Sequence, residues 1–264
     1  MDRSMVRKKL LDTLETVVGK REALNITDYY LDATVSSDYK FLDEHLNDLI
    51  SGHPVQYVTN TSFFYGYKLY VDKNTLIPRP ETEELVHWII TDYKQSKFNI
   101  VDIGTGSGCI LLSVLHKCPE ASGLGIDVDS RVQKVFDINK QRLNVNADLK
   151  ALDFLVESTW NSIKSFDVIV SNPPYISKDE VNRLGENVFR HEPHLALFTD
   201  DDPLVFYRKT IAFAHTHLNE GGCIYFETSD LYHDEMVSLA KNSGFQSEFK
   251  KDMQGAWRML KLWR

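Results

Sequence analysis

Ser171-Asn172-Pro173-Pro174-Tyr175 follows the strand-like run Phe166-Asp167-Val168-Ile169-Val170. The segment therefore predicts an acceptor wall at the carboxyl end of a strand, where open α/β sheets bind their ligands. Two consecutive prolines fix the chain and remove two N–H donors, which leaves carbonyl oxygens and the Asn172 side-chain oxygen to face outward. Such a wall suits an NH2 group. The nitrogen of an amide or exocyclic amine is a poor nucleophile because its lone pair is conjugated. Two acceptors can hold it, reduce the conjugation and aim it at an electrophilic methyl carbon. Tyr175 would stack on the planar group. Asn172, Pro173 and Tyr175 are the candidate catalytic residues, and Pro174 completes the candidate substrate wall. An isolated Pro-Pro-Tyr also reads as a solvated turn, but this one lies about 70 residues after a glycine loop on a predicted strand end.

That loop is Val101-Asp102-Ile103-Gly104-Thr105-Gly106-Ser107-Gly108, where a strand gives way to a helix and glycines let a ligand approach the main chain. The dinucleotide fingerprint needs Gly or Ala at position 109, which is Cys109, and Asp102 would repel a pyrophosphate. S-adenosylmethionine (SAM) has no phosphate and carries a sulfonium and an ammonium, so a nearby carboxylate favours SAM over NAD. After the next strand, Asp127 can accept hydrogen bonds from both ribose hydroxyls, or it can cap a helix, a role Asp129 would fill equally. Asp153 can accept from the adenine amino group while Phe154 flanks the ring, or Asp153 can only cap a helix.

The elements that must position these groups alternate. Asn99–Ile103, Gly123–Asp127, Asp167–Ser171 and Cys223–Glu227 read as strands, and Ile110–His116, Arg131–Arg142, Leu204–His217 and Asp234–Asn242 read as helices. Alternation of this kind predicts a doubly wound, mostly parallel sheet. Phe245–Lys250 and Trp257–Trp263 predict an antiparallel pair closing one edge. Upstream, Leu10, Leu11, Leu14, Val17 and Val18, then Tyr39, Leu42, Leu46, Leu49 and Ile50, recur at helical spacing and predict a small N-terminal helical domain. Between them, Val55 to Asp72 predicts one or two short hairpins around Asn60-Thr61 and Tyr65-Gly66, and Glu81 to Tyr93 predicts a helix. The expected division is residues 1–52 helical, 53–75 a hairpin connector and 76–264 the catalytic domain.

Composition narrows the partners. The formal charge is −8, and each side of residue 75 is acidic, with 9 Lys+Arg against 11 Asp+Glu before it and 21 against 27 after. Direct nucleic-acid binding is not expected, because it rests on many cations neutralising phosphates. Cys109, Cys118 and Cys223 form no Cys-x-x-Cys pair, so no disulfide framework or zinc site is expected, and no apolar run spans a bilayer, which together predict a cytoplasmic protein. His191-Glu192-Pro193-His194 is broken by its proline, and His215 and His217 do not share one helix face, so no metal is expected. Asp200–Asp202 reads as a solvated turn before a helix, and the aromatics from Phe63 to Tyr70 read as packing.

Asp-Ile-Gly-Thr-Gly-Ser-Gly (102–108) with Asn-Pro-Pro-Tyr (172–175) resembles the class I SAM-dependent amino-methyltransferases. Leu-Ile-Pro-Arg-Pro-Glu-Thr-Glu (76–83) resembles more narrowly the release factor glutamine methyltransferases, the HemK/PrmC group. Pro54-Val55-Gln56-Tyr57, Glu192-Pro193 and Gly221-Gly222 add to the likeness, which runs from about residue 40 to the end. The resemblance implies a seven-stranded Rossmann-like sheet. It also implies transfer of a methyl group from SAM to the side-chain amide of the glutamine in the Gly-Gly-Gln loop of class I peptide chain release factors. It implies SAM contacts by Asp102, Ile103, Gly104, Thr105, Gly106, Asp127, Phe154 and Asn172, and recognition of the release factor by the N-terminal helices. Asn60, His53, Thr199–Pro203 and the stretch from Glu227 to His233 depart from the family pattern, and none is expected to touch the wall. Methylation of a ribosomal-protein glutamine, methylation of N6-adenine or N2-guanine, and a SAM-binding module without turnover are the alternatives the same motifs allow.

Overall fold

A computed structural model describes residues 1–177, 180–181, 185–199 and 202–264. The chain opens with α1 (Arg3–Val18), α2 (Lys20–Ala33), a 3-10 turn at Ser36–Phe41 and α3 (Leu42–Ile50). Asp2 caps α1 by accepting from the Met5 amide, and Gly19, at φ 80°, breaks the chain between α1 and α2. Val6, Leu10 and Leu14 meet Tyr30, Leu31, Leu42, Leu46 and Leu49 in a core of their own. Val17, Val18 and Ile50, expected on the apolar stripe, are exposed: Ile50 lies off the face that Leu42, Leu46 and Leu49 turn to the core, and Val17 and Val18 follow Leu14, the last buried residue of α1.

The predicted connector differs in part. Val55–Val58 is a helical turn, α4, and only one hairpin follows, β1 (Ser62–Phe64) and β2 (Tyr67–Leu69), turning at Tyr65-Gly66. Asn60 is no hairpin turn. It holds φ 47°, a left-handed conformation that asparagine tolerates, and its side-chain amide donates to the Val71 carbonyl at 3.1 Å. Phe64 is buried as expected, whereas Phe63 stays exposed with its ring edge-on to Tyr29.

The rest of the chain runs α5 (Pro80–Tyr93), β3 (Asn99–Ile103), α6 (Cys109–Lys117), β4 (Ser122–Asp127), α7 (Val132–Leu143), β5 (Ala147–Ala151), β6 (Phe166–Ser171), α8 (Glu186–His191), α9 (His194–Leu197), α10 (Val205–His217), β7 (Leu218–Glu227), α11 (His233–Asn242), β8 (Gln246–Lys251) and β9 (Trp257–Trp263). One seven-stranded sheet has the order β5-β4-β3-β6-β7-β9-β8, parallel except for β9, which is antiparallel to both neighbours. Period-two alternation decides which face each residue serves. Ile100, Val168, Val170 and Tyr225 pack with α5, α6 and α7, while Val101, Ile103, Ile169, Ile224 and Phe226 pack with α10 and α11. Strand order reverses between β3 and β6, so a crevice must open at their carboxyl ends. Asp200 and Asp201 of the predicted acidic turn lie outside the described residues, while Asp202 accepts from the Leu204 amide at 3.0 Å ahead of α10.

Candidate active site

The crevice is a cavity of about 240 Å³ whose floor is the loop after β3. The Gly104 and Thr105 amides both donate to the Ile126 carbonyl at 2.8 and 3.0 Å, folding the loop back over β4. Gly104 and Gly106 take φ 75° and 52°, and a Cβ at either would meet no protein atom within 4 Å. Gly108 and Gly125 differ, since a Cβ on Gly108 would stand 2.7 Å from Leu112 and one on Gly125 2.8 Å from Thr105. The first two glycines keep the cavity open, and the other two serve the packing beneath it. Asn139, fully buried on α7, donates to the Ser107 and Tyr70 carbonyls, each at 2.9 Å, and accepts from the Tyr70 amide at 2.6 Å. It ties the glycine loop to the segment leaving β2, and nothing in the sequence singled it out.

Of the predicted site residues, Ile103, Gly104, Thr105, Gly106, Asp127, Asp153, Phe154, Asn172 and Pro174 line this cavity. Asp127 accepts from the Gly106 amide at 2.9 Å and from the Asp129 amide at 3.0 Å, and it caps no helix. Burial raises its carboxyl above the ordinary range, against the pull of those amides. Asp153 has given one oxygen to the Leu155 amide at 2.9 Å, and Phe154 rests against Trp160 and Phe213. Asp102 lies behind the lining, 1% exposed, with Oδ2 taking the Thr105 hydroxyl at 2.7 Å and Oδ1 buried without a hydrogen-bond partner. Burial pushes its carboxyl up to about 7.

Pro173 and Tyr175 are also off the lining, for a simple reason: along an extended segment successive side chains point to opposite sides, so Asn172 and Pro174 face the cavity and their neighbours do not. Tyr175, half-buried, packs against the core of the α10 face, and its hydroxyl is pushed up to about 12 by burial and by Glu227 nearby.

The opposite wall was not foreseen as part of the site. Thr75, Leu76, Pro78, Arg79 and Thr82 face the glycine loop, and Pro193, Leu195 and Ala196 close one end. Buried Glu192 fastens this strap, accepting from Arg79 Nη2 at 2.7 Å and from the Ile77 amide at 3.2 Å. At the turn into α5, Thr82 donates its hydroxyl to Glu227 Oε2 at 2.6 Å and accepts from Asn172 Nδ2 at 3.3 Å. Glu227, which precedes the residues that depart from the family pattern, thus stands two hydrogen bonds from the wall without touching it. Burial pushes Glu227 up to about 7. Farther along, Thr228 and Arg258 exchange hydrogen bonds and His233 stacks on Trp257 at 4.5 Å, so β9 holds a loop whose sequence departs from the family pattern. Among the described residues no group of three or more His, Cys, Asp or Glu could hold a metal ion, and no helix is long and apolar enough to cross a membrane.

A seven-stranded sheet with a glycine loop, a carboxylate ending the second strand and an acceptor segment ending the fourth defines a SAM-dependent methyltransferase. Residues 82–197 match the methyltransferase small domain family model. A ribosomal protein L11 methylase from Lactobacillus delbrueckii subsp. bulgaricus shares the fold, with a TM-score of 0.53 at 20% identity over 74% of this chain and 83% of that one. A release factor glutamine methyltransferase of Flavobacterium psychrophilum is 40% identical over 215 residues, 79% of this chain and 75% of its own length. One of Streptococcus pneumoniae is 36% identical over 220 residues, 82% and 77% of the two chains. The chain belongs to the release factor glutamine methyltransferases.

Proposed function

We infer that this chain transfers a methyl group from SAM to the side-chain amide nitrogen of the glutamine in the Gly-Gly-Gln loop of class I peptide chain release factors. The observation that carries the assignment of the wall is Asn172, on the cavity at the end of β6 with its amide nitrogen already engaged by Thr82. The SAM cavity fits its ligand on three counts. Gly104 and Gly106 leave the main chain bare, Asp127 keeps lone pairs free beyond those that take two amides, and Asp102 holds a buried oxygen without a partner close behind a site for a cation. SAM supplies an electrophilic methyl carbon on a sulfonium.

Asp127 would hold the ribose hydroxyls, Phe154 would flank the adenine and Asp153 would take its amino group with the oxygen left over from Leu155. Asn172 Oδ1 and the carbonyls beside the two prolines hold the two protons of the glutamine amide, turning its nitrogen lone pair toward the cavity. Pro173 fixes the backbone of the wall, and Tyr175, packed on the α10 face, braces it from behind instead of stacking on the amide. Bound SAM would supply the methyl carbon and keep the bonding pair on its sulfur, while these residues would hold the amide nitrogen toward it and one amide proton would leave to water. The same reading carries a cytoplasmic location, supported by three cysteines that are all unpaired. It gives the N-terminal helices the task of gripping the release factor away from its Gly-Gly-Gln loop. Mass spectrometry of release factor peptides after incubation with protein and SAM tests it: one added methyl on that glutamine is the expected product, and an unchanged peptide overturns it.

Gly106→Val places a side chain where the structure has only open cavity, and Asp127→Ala removes charge-assisted hydrogen bonds of roughly 1.5–3 kcal/mol each. Calorimetric titration should find SAM affinity reduced at least about tenfold in each. Native affinity in both would place SAM elsewhere. Because Asp102 and Asp127 are held above the ordinary carboxylate range, a cationic ligand must favour their ionised forms, and binding releases protons. SAM affinity should therefore rise, by about tenfold, as pH increases from 6 to 8. An affinity that is flat or falls over that interval would separate the two carboxylates from the ligand.

A further inference from the structure

We propose that Thr82 and Glu227 are positioning residues for methyl transfer, aligning the Asn172 carboxamide so that its oxygen faces the substrate amide. The inference rests on the functional reading above and starts from a question of direction. An asparagine side chain has one donor end and one acceptor end of nearly the same shape, and a wall that must accept hydrogen bonds works in only one of the two orientations. Asn172 cannot choose by itself.

The choice is made two residues away. Above pH about 7 Glu227 is ionised and can only accept, so the Thr82 hydroxyl proton is committed to Oε2 at 2.6 Å. Thr82 Oγ then has lone pairs and no proton to offer, so its neighbour must donate, and Asn172 gives Nδ2 at 3.3 Å. With the NH2 end spent on Thr82, Oδ1 is the end left for the cavity, which Asn172 lines. Thr82 is 1% exposed and Glu227 3%, so water does not compete for either hydrogen bond. Further contacts hold the pair in place: Tyr207 donates to the main-chain carbonyl of Glu227 at 3.0 Å, and α5 carries Thr82 on its first turn behind the strap that Glu192 fastens. The three residues come from α5, from the end of β6 and from the end of β7, so the chain of hydrogen bonds also ties together the two strand ends that flank the substrate side.

The substitutions separate direction from shape. Thr82→Val keeps the volume and removes the hydroxyl. Glu227→Gln keeps the outline but can donate to Thr82, whose own proton is then free to turn toward Asn172 and reverse it. Thr82→Ser keeps the hydroxyl. In the full-length protein at pH 8, where Glu227 is ionised, with saturating SAM and intact release factor, kcat is expected to fall about 10- to 100-fold in Thr82→Val and in Glu227→Gln, below the loss from deleting a direct contact. The Kd for SAM should stay within about twofold in Glu227→Gln, whose residue lies off the cavity lining, and Thr82→Ser should recover the rate to within about threefold of the native protein. Native kcat in both impaired variants overturns the proposal, as does a loss of SAM affinity in step with the rate in Glu227→Gln, which would mark a collapsed wall. If Thr82→Val does not fold, Glu227→Gln carries the same expectation alone.

A second readout needs no turnover. In protein labelled with 15N-asparagine, the side-chain amide pair assigned to Asn172 should shift toward the position of a free amide in Thr82→Val and keep its native position in Thr82→Ser. An Asn172 signal identical in the native protein and Thr82→Val overturns the proposal whatever the activities show. If the native protein methylates no release factor, it is the functional reading that fails, and the Asn172 signal still decides the proposal.

Discussion

Asn172→Ala is expected to lower turnover by about 10²–10³-fold at saturating SAM and release factor, because it removes the one side-chain acceptor on the wall. Fold changes of this size follow when a preorganised group aimed at the reacting atom is deleted, and Asn172 is preorganised by Thr82 before any substrate arrives. Alanine cannot be rescued by the backbone, since the prolines at 173 and 174 hold the neighbouring carbonyls in fixed directions. Some loss of SAM affinity should accompany the change because Asn172 also lines the donor cavity, but it should be smaller than the loss in rate. Rapid-quench measurement of a single turnover isolates the chemical step. A near-native rate there would mean that the acceptors holding the glutamine lie elsewhere, and Glu227 would become the group to examine.

The parts of the fold that were legible in the sequence are those in which burial writes a period. β3, β4, β6 and β7 are apolar on both faces because helices cover both, and each shows as a short apolar run between helical patterns. β5 escaped as a run because Ala147–Ala151 forms the exposed edge of the sheet, where only Ala147 is buried. Val55–Val58 suggested a strand because β-branched and aromatic residues dominate it, but one helical turn held by Pro54 costs little, and tertiary contacts with α2 and α3 decide its form. Within the site, the glycine loop and Asn-Pro-Pro-Tyr were legible because backbone chemistry demands glycine and proline there. The partner of Asn172 was not. Thr82 and Glu227 are separated by 145 positions, and no local spacing marks two residues that meet only when β7 and α5 pack. Asn139 is similarly silent: its three hydrogen bonds reach residues 32 and 69 positions away.

Removal of the N-terminal helices should separate recognition from catalysis. A glutamine at the tip of a loop offers little area, whereas stable protein recognition buries about 1,200–2,000 Å² in total, so a second surface is required. α1, α2 and α3 close a core of their own that meets the hairpin segment through the Tyr29 hydroxyl, which donates to the Thr61 carbonyl at 3.0 Å, and through Lys68, which bonds the Asp32 carbonyl, while just beyond α3 the His53 ring lies 4.3 Å from that of His191. Outside that core stand exposed Met5, Val18 and Phe41 among the ion pairs of Arg3 with Asp32 and Lys9 with Asp43, the mixture of apolar and charged groups that interfaces use. Val55 belongs to the same core and would be bared by a cut at residue 52, so the deletion of 1–52 should carry Val55→Ser. With SAM affinity unchanged, KM for intact release factor is expected to rise about 100-fold, equivalent to about 2.7 kcal/mol, one or two strong contacts at the centre of an interface. KM for a short Gly-Gly-Gln peptide should change by less than about threefold, because that substrate never reached the missing surface. Equal losses on both substrates, or a truncated chain that no longer binds SAM, would make the helices a stabilising cap and move the search for the recognition surface to the hairpin segment Asn60–Tyr70.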